Sequence, residues 1–535
     1  MRFPDVPYVG GIVSSRQTAF GGLNRNLGAP GGELWDMQNL SSDFYPLFAP
    51  RAKRHIVGTL TAPNGLYHSD KLYTVDGDKL YADGALVGAL PSAGEKTLLC
   101  LGKRLLIFPD KLLYTESGGI VPLEASVEGA SCKIQDGTYA EEAAAANTIY
   151  AAGVTWADYF KTGDGVTISG AATHTENNRT AIIREISADG HSLRFYENTF
   201  TINDGGDTET LTLRRAIPDL DFLCVNENRV WGCKGDTISC SKLGDPFNWY
   251  VFDGISTDAW SVESGTAGDF TACCSFLGYP IFFKEDRIFK VYGNKPTNFE
   301  LMSSATLGVV EGSAKSLAVA DETLFYLSRV GIVAYNGGIP RSIAEPFGVE
   351  QFSDATGGSD GKKYYVSMRA QDGAYSLFVY DTARGLWHRE DNTQVVSFAY
   401  GGGLYALAAE GALLLLGRPQ AVPGGATPEQ PVPWEAEFAD YTMDSFNGKY
   451  PTHLRMRISG EKDASFSVSI KYDSGDAWET VVGITLPADT KRAEYLSVPI
   501  RRCDHFRLKL TGVGVGRLHA CELEFYEGKS NNSRK

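Results

Sequence analysis

The side chains able to do chemistry are spread thinly over 535 residues. Eight histidines stand at 55, 68, 174, 191, 388, 453, 505 and 519, and nine cysteines at 100, 132, 224, 233, 240, 273, 274, 503 and 521. There is no CxxC pair, no HExxH, no EF-hand loop and no GxxxxGK[ST] phosphate loop. The cysteine count is odd and its spacing irregular, so the thiols are expected to be reduced core residues of a protein made in a cytosol. His505 and His519 fall on facing predicted strands and could approach each other, but ordinary strand positions are the simpler reading. Glycoside hydrolysis needs two carboxylates at a set separation, and nothing in the sequence marks such a pair. The chain is therefore expected not to be an enzyme, with no catalytic, cofactor-binding or metal-ligating residues and no cofactor.

Aromatic side chains offer recognition instead. GDPFNWYVF (244–252) is an Asp-Pro turn bearing Phe247, Trp249 and Tyr250. It reads either as a turn packing inward or as a contact with a partner subunit. Trp434, Tyr472 and Trp478 could supply stacking surfaces for a sugar, although YDSGDAW (472–478) also reads as a hairpin turn with a packed Trp478. GDGVTISG (163–170) lacks the Lys-Ser/Thr and helix of a phosphate loop, so it is a tight turn entering a strand. The doublets Arg214-Arg215 and Arg501-Arg502 read as solvated strand ends.

These residues must be positioned by β-structure, because helical periodicity is almost absent and short apolar runs alternate with Gly, Asp and Asn. The exception is 138–152, TYAEEAAAANTIYAA, where Ala and Glu favour a helical turn or a loop. One hairpin unit recurs, beginning near Leu72, Leu105, Arg229, Ile281, Leu324, Tyr364 and Leu404. Most of these starts are spaced close to the ~40–45 residues of a four-stranded propeller blade. The one long gap contains residues 125–217, which read as an inserted small β-barrel. The expected fold is all-β: a β-propeller of about seven blades (six to eight) over 55–124 and 218–416. A Pro/Gly linker (417–433), a C-terminal antiparallel β-sandwich (434–527) and a flexible tail (528–535) follow. Residues 1–54 are expected to be an extended arm packing on the propeller.

The formal net charge of −15 argues against a duplex-DNA reader, which needs a basic face to neutralise phosphates. It suits a wall that DNA passes without being held. The N-terminus MRFPDVPYVGG does not read as a signal peptide, and the longest aliphatic run, 412–416, is far short of a membrane span.

Several segments together are similar to tail proteins of tailed bacteriophages. They are FGGLNRNLGAPGGELWDMQNLSSDFYPLFAPRAKR (20–54), FKTGDGVTISG (160–170), SKLGDPFNW (241–249), FFKEDRIFKVYGNKPTNFEL (282–301) and RRCDHFRLKLTGVGVGRL (501–518). The chain resembles the propeller-containing tail hub family: the tail nozzle of short-tailed phages and the related packaged-DNA stabilisation protein. The resemblance implies a structural virion protein of the tail, assembled in the host bacterial cytoplasm. It implies a homo-oligomeric ring, with a hexamer favoured, below portal and adaptor proteins and beside tail fibre or tail tip proteins. Such a ring continues the DNA channel, passes double-stranded DNA non-specifically and holds the genome until ejection. It offers no catalytic residues to carry over. A host-receptor or carbohydrate-binding tail protein is the alternative, and a propeller glycoside hydrolase the third reading.

Overall fold

Each recurring unit of the sequence forms the second and third strands of a sheet, which has four strands in six cases and five in the last. The solid runs RLLIF (Arg104–Phe108), YPIFFK (Tyr279–Lys284) and TLFYLS (Thr323–Ser328) are those second strands. They are apolar without alternation because both faces are covered: Ile107, Phe282, Phe283 and Leu327 are all buried. The computed structural model describes residues 11–26, 32–138, 145–196, 199–202, 207–442, 445–475, 477–486 and 491–528. All of the predicted tail except Gly528, and most of the N-terminal MRFPDVPYVGG, lie outside them. No helix among the described residues is long and apolar enough to cross a membrane.

The sheets are the blades of a β-propeller. The chain divides into two compact units, residues 64–314 and residues 1–63 with 315–535. The first unit carries four blades, whose second strands are Leu72–Asp76, Arg104–Phe108, Arg229–Lys234 and Tyr279–Lys284. Apolar side chains pack between neighbouring sheets there, as where Trp231, Phe282, Phe289 and Cys273 share one core. The second unit carries three blades, with second strands Thr323–Ser328, Lys363–Ala370 and Leu404–Ala408. The last of these has only three strands of its own. Its fourth, His55–Thr59, comes from the N-terminal side of the chain and pairs antiparallel with Ala412–Leu416, and a two-residue fifth, Thr427–Pro428 of the expected linker, pairs on its other side. Gly411 makes the join possible: a Cβ there would meet the Leu60 carbonyl oxygen at 1.9 Å.

The inserted module is a closed six-stranded barrel, running from Ala125–Gly137 to Thr208–Arg215 and closed by pairing those two strands. Trp156, Phe160, Ile183 and Leu213 fill it. The helical expectation for 138–152 fails where it can be seen: Ala145–Tyr150 is a barrel strand, because Asn147–Tyr150 are buried or half-buried in register with two neighbouring strands. Residues 139–144 of that segment lie outside the described ones.

The N-terminal arm also departs from expectation. Ile12–Gln17 pairs with Gly516–Glu527, and Leu34–Gln38 pairs with Pro433–Phe438. The arm therefore completes both sheets of the sandwich before it reaches the last blade. One sheet has four strands and the other five. The reason is an open sheet edge: Pro433–Phe438 has unpaired backbone groups on one side, and the LWDMQ strand covers them while burying Leu34 and Met37. Phe48 and Phe20 follow into the same core, with ring centroids 5.2 Å from Trp434 and 6.3 Å from Phe438.

Candidate functional site

The Asp-Pro turn packs inward. Trp249 is buried in the core with its indole N–H donating to the Pro246 carbonyl, and Phe247 packs against the same core. Asn248 accepts from the Gly165 amide (2.8 Å) and donates to Asp164 (3.1 Å) and Asp245 (2.6 Å). Asp164 is ion-paired with Arg215, whose guanidinium lies 5.0 Å from the Phe247 ring centroid. The turn is thus a clasp that holds the start of the barrel strand Gly165–Ser169. Two expectations are corrected by this burial. Trp249 is spent inside the chain and has no face for a partner, Phe247 is half-buried against the same core, and Arg215 is a buried ion-pair member, not a solvated strand end.

Tyr250 remains outside at 41% exposure, and Phe252 (59%) and Ile255 (51%) join it. This apolar tip is held from beneath. Asp258, itself buried, accepts from the Gly254 and Ile255 amides at 2.7 and 3.0 Å. Buried Arg229 donates to the Ser241 and Ser256 carbonyls at 2.9 Å each.

The sandwich aromatics separate in the same way. Trp434 is 2% exposed, edge-on to Phe48 and Phe466 at 5.2 and 5.1 Å, so it is core and cannot stack on a sugar. Trp478 is half-buried, with the Lys471 and Lys509 ammonium groups each 4.9 Å from its ring. Tyr472 is half-buried too and donates its hydroxyl to the Pro499 carbonyl. His505 and His519 are not brought together. They lie by strands of different sheets, each bonded at 2.7 Å to its own serine, Ser474 and Ser459. No three His, Cys, Asp or Glu among the described residues are grouped to hold a metal ion. The nine cysteines are unpaired, and burial pushes the thiols of Cys132, Cys240, Cys503 and Cys521 up to about 12, which keeps them protonated. Gly357–Gly361, GGSDG, fits GxSxG in letters only. It turns from one strand into the next, not into a helix, and Ser359 Oγ accepts the Gly361 amide.

Sequence reasoning missed a dense group of ionisable side chains in the unit that contains residues 1–63. There the arm and the last two blades enclose a cleft of about 260 Å³ whose wall includes Asp43, Arg51, Arg54, Lys363, His388 and Glu390. Arg54 donates to Glu390 (2.6 Å) and Asp391 (2.7 Å), and Arg51 makes a two-pronged contact with Glu429 (2.8 and 3.0 Å). Burial raises the Asp391 carboxyl, but Arg54 outweighs it and holds the group below the usual carboxylate range. The same balance, with Arg51 as the cation, lowers Glu429. For Asp43, burial is overcome by Lys363, Ser41 and Arg418. For Asp381 it is overcome by Ser42 and Arg384. The cluster is an electrostatic clamp joining segments more than 300 residues apart.

His388, buried in this wall, is pushed down to about 4, first by burial and then by Lys363 and Arg384, against Asp381 and Asp43. The native chain thus keeps the ring neutral in a range where the unfolded chain protonates it. Stability should fall by about 3 kcal/mol as pH drops from above 6.5 to 4. Below that, protonation of the lowered carboxylates removes more. Thermal midpoints measured from pH 7 to 4 should show the first loss, and His388→Asn should flatten it.

No protein family and no curated protein matches the chain. Solved structures do. An exo-β-1,3-galactanase from Phanerochaete chrysosporium is 10% identical, over 56% of this chain and 94% of that one, with a TM-score of 0.23. The dihydro-heme d1 dehydrogenase NirN is 11% identical over 83% and 80%, at 0.31. A glycoside hydrolase family 43 arabinoxylan arabinofuranohydrolase from Bacillus subtilis is 10% identical over 88% and 96%, at 0.20. At such values the likeness supplies no activity to this chain. It does correct one expectation: with glycoside hydrolases among the matched structures, the exclusion of an enzyme is withdrawn. Hydrolytic carboxylates are defined by their separation in space, so the absence of a short motif was no test.

Proposed function

We propose that this chain is a ring-forming structural protein of a bacteriophage tail, seated below portal and adaptor proteins, continuing the DNA channel and holding the genome until ejection. The observation that carries the reading is the apolar tip Tyr250, Phe252 and Ile255. An exposed apolar loop costs solubility unless it is covered, and this one is held in place by two buried charged residues, Arg229 and Asp258. It directly follows the SKLGDPFNW segment that resembles the tail hub family. Copies meeting head to tail in a closed ring would cover such a tip on every subunit. The net charge of −15 agrees with a channel that does not grip phosphates. The other segments that carry the resemblance are architectural in this fold: 20–54 builds the sandwich and the clamp, and 282–301 builds a blade.

The double variant Tyr250→Asp, Phe252→Asp tests this. Both side chains are exposed, so the fold should survive with an unchanged circular dichroism spectrum. Sedimentation velocity should show assembly abolished. Unaltered assembly in the variant would remove the tip from the interface and the reading's main support with it.

A further inference from the structure

The cleft of about 260 Å³ beside the arm has a floor set by strand register. Tyr365, Val379 and His388 are paired directly across three strands of one blade, Lys363–Ala370, Tyr375–Asp381 and Leu386–Arg389. Lys363 and Asp381 are paired two residues along, so their side chains stand on the same face. The arm comes down on this face. Ser42 donates to Asp381 (2.5 Å), and Asp43 is ion-paired with Lys363 (2.5 Å). Arg418, just past the last blade's strand Ala412–Leu416, reaches the same Asp43 at 3.3 Å.

Positive charge collects at the mouth. Lys363 and Arg418 share the one carboxylate of Asp43. Lys362 also lines the cleft, is exposed, and makes no ion pair among the described residues. Arg418 and Arg517 both lie against the Phe44 ring, 4.8 and 3.9 Å from its centroid, and Arg517 has no carboxylate partner among the described residues either. The acids here are already filled: Asp360 accepts from the amides of Lys362 and Lys363 (2.9 and 2.8 Å), and Asp381 from Arg384 (2.8 Å) and Ser42. Deeper in, Arg51 and Arg54 are taken up by Glu390, Asp391 and Glu429. The mouth thus holds a surplus of cation in a chain whose net charge is −15.

His388 is the second observation. Its side chain is buried at 6% exposure and faces the cleft, yet no group among the described residues hydrogen-bonds its ring. Buried polar groups are ordinarily met by a partner, so this one points to solvent or a ligand. The Tyr365 hydroxyl has a single long contact, 3.5 Å from Asp360. What the wall offers is therefore N–H and O–H donors from Lys362, Lys363, Arg418, Tyr365 and His388, with one acceptor, the second imidazole nitrogen. Burial and Lys363 keep that ring neutral, so the acceptor persists at neutral pH. The matching ligand brings several anionic oxygens and one O–H. Hydrogenphosphate has both, whereas sulfate has oxygens alone.

We propose that this cleft binds inorganic phosphate, its oxygens held by Lys362, Lys363 and Arg418 and its hydroxyl by His388. The site joins the arm to two blades within one unit and does not rest on ring assembly.

The test is equilibrium dialysis of the full chain against radiolabelled orthophosphate at neutral pH. One saturable phosphate per chain is expected, displaced by unlabelled phosphate at concentrations at least tenfold lower than by sulfate. That preference tests the His388 contact without any substitution, and His388→Phe should abolish it. Lys362→Glu and Arg418→Glu change exposed side chains, so both should fold, and each should weaken binding tenfold or more. No saturable binding to the parent chain would overturn the proposal. So would binding that neither charge reversal weakens, because it would then lie elsewhere. Equal displacement by sulfate would overturn the assignment of phosphate.

Discussion

Arg54→Ala should lower the stability of the unit containing residues 1–63 by about 3 kcal/mol, the low end of the range for breaking a buried pair, because Glu390 and Asp391 lose their nearest cation and keep only Arg51, 3.7 and 3.8 Å away. Arg54 and Glu390 have side chains only 4% and 8% exposed, and Asp391 is 19% exposed. Removing the guanidinium leaves both carboxylates sharing one more distant cation, Arg51, in a poorly solvated wall. The exposed pair Arg369–Asp354, at 49% and 44%, provides the contrast. Water already solvates both of its members, so Arg369→Ala should cost no more than about 1 kcal/mol. Urea unfolding of the two variants beside the parent chain measures both. Equal effects would mean that the clamp is solvated and contributes nothing special.

The second large effect is expected at Trp434. Truncation to alanine should cost about 3–5 kcal/mol, the range for a fully buried large aromatic. The ring joins three parts of the chain: Phe48 from the arm, Phe466 from the sandwich, and the Gly514 carbonyl, which accepts its indole N–H at 3.2 Å. Loss of the ring should release the arm from the sandwich. Hydrogen exchange should then show reduced protection in both Leu34–Gln38 and Pro433–Phe438. A Trp434→Ala chain that melts like the parent would contradict the core placement and return Trp434 to the surface.

Much of the architecture is legible from local pattern. The blade unit repeats because each blade must bury two faces and turn three times, so its solid runs and turn residues recur along the chain. The inserted barrel is visible as an interruption of that period. Other features have no local signature. Glu227-Asn228 and Asp321-Glu322 both adopt positive φ in two-residue hairpin turns, where Asn-Gly or Asp-Gly would have announced the turn better. The arm's membership of the sandwich depends on which distant edge is open, and LWDMQ does not encode its partner. Aromatic type does not tell inside from outside: Trp249 and Trp434 are core, whereas Tyr250 and Phe252, close by in the chain, are exposed. The clamp is built from residues near 54, 390 and 429, which no spacing rule connects.

If this propeller chain closes into a ring, its mass in solution must be a single fixed multiple of the subunit. Mass photometry of the purified 535-residue chain reads that multiple. The expected result is one discrete species at six times the 58.0 kDa of the chain, with no ladder of higher multiples. A strict monomer at every concentration, or an open-ended series of oligomers, would contradict it.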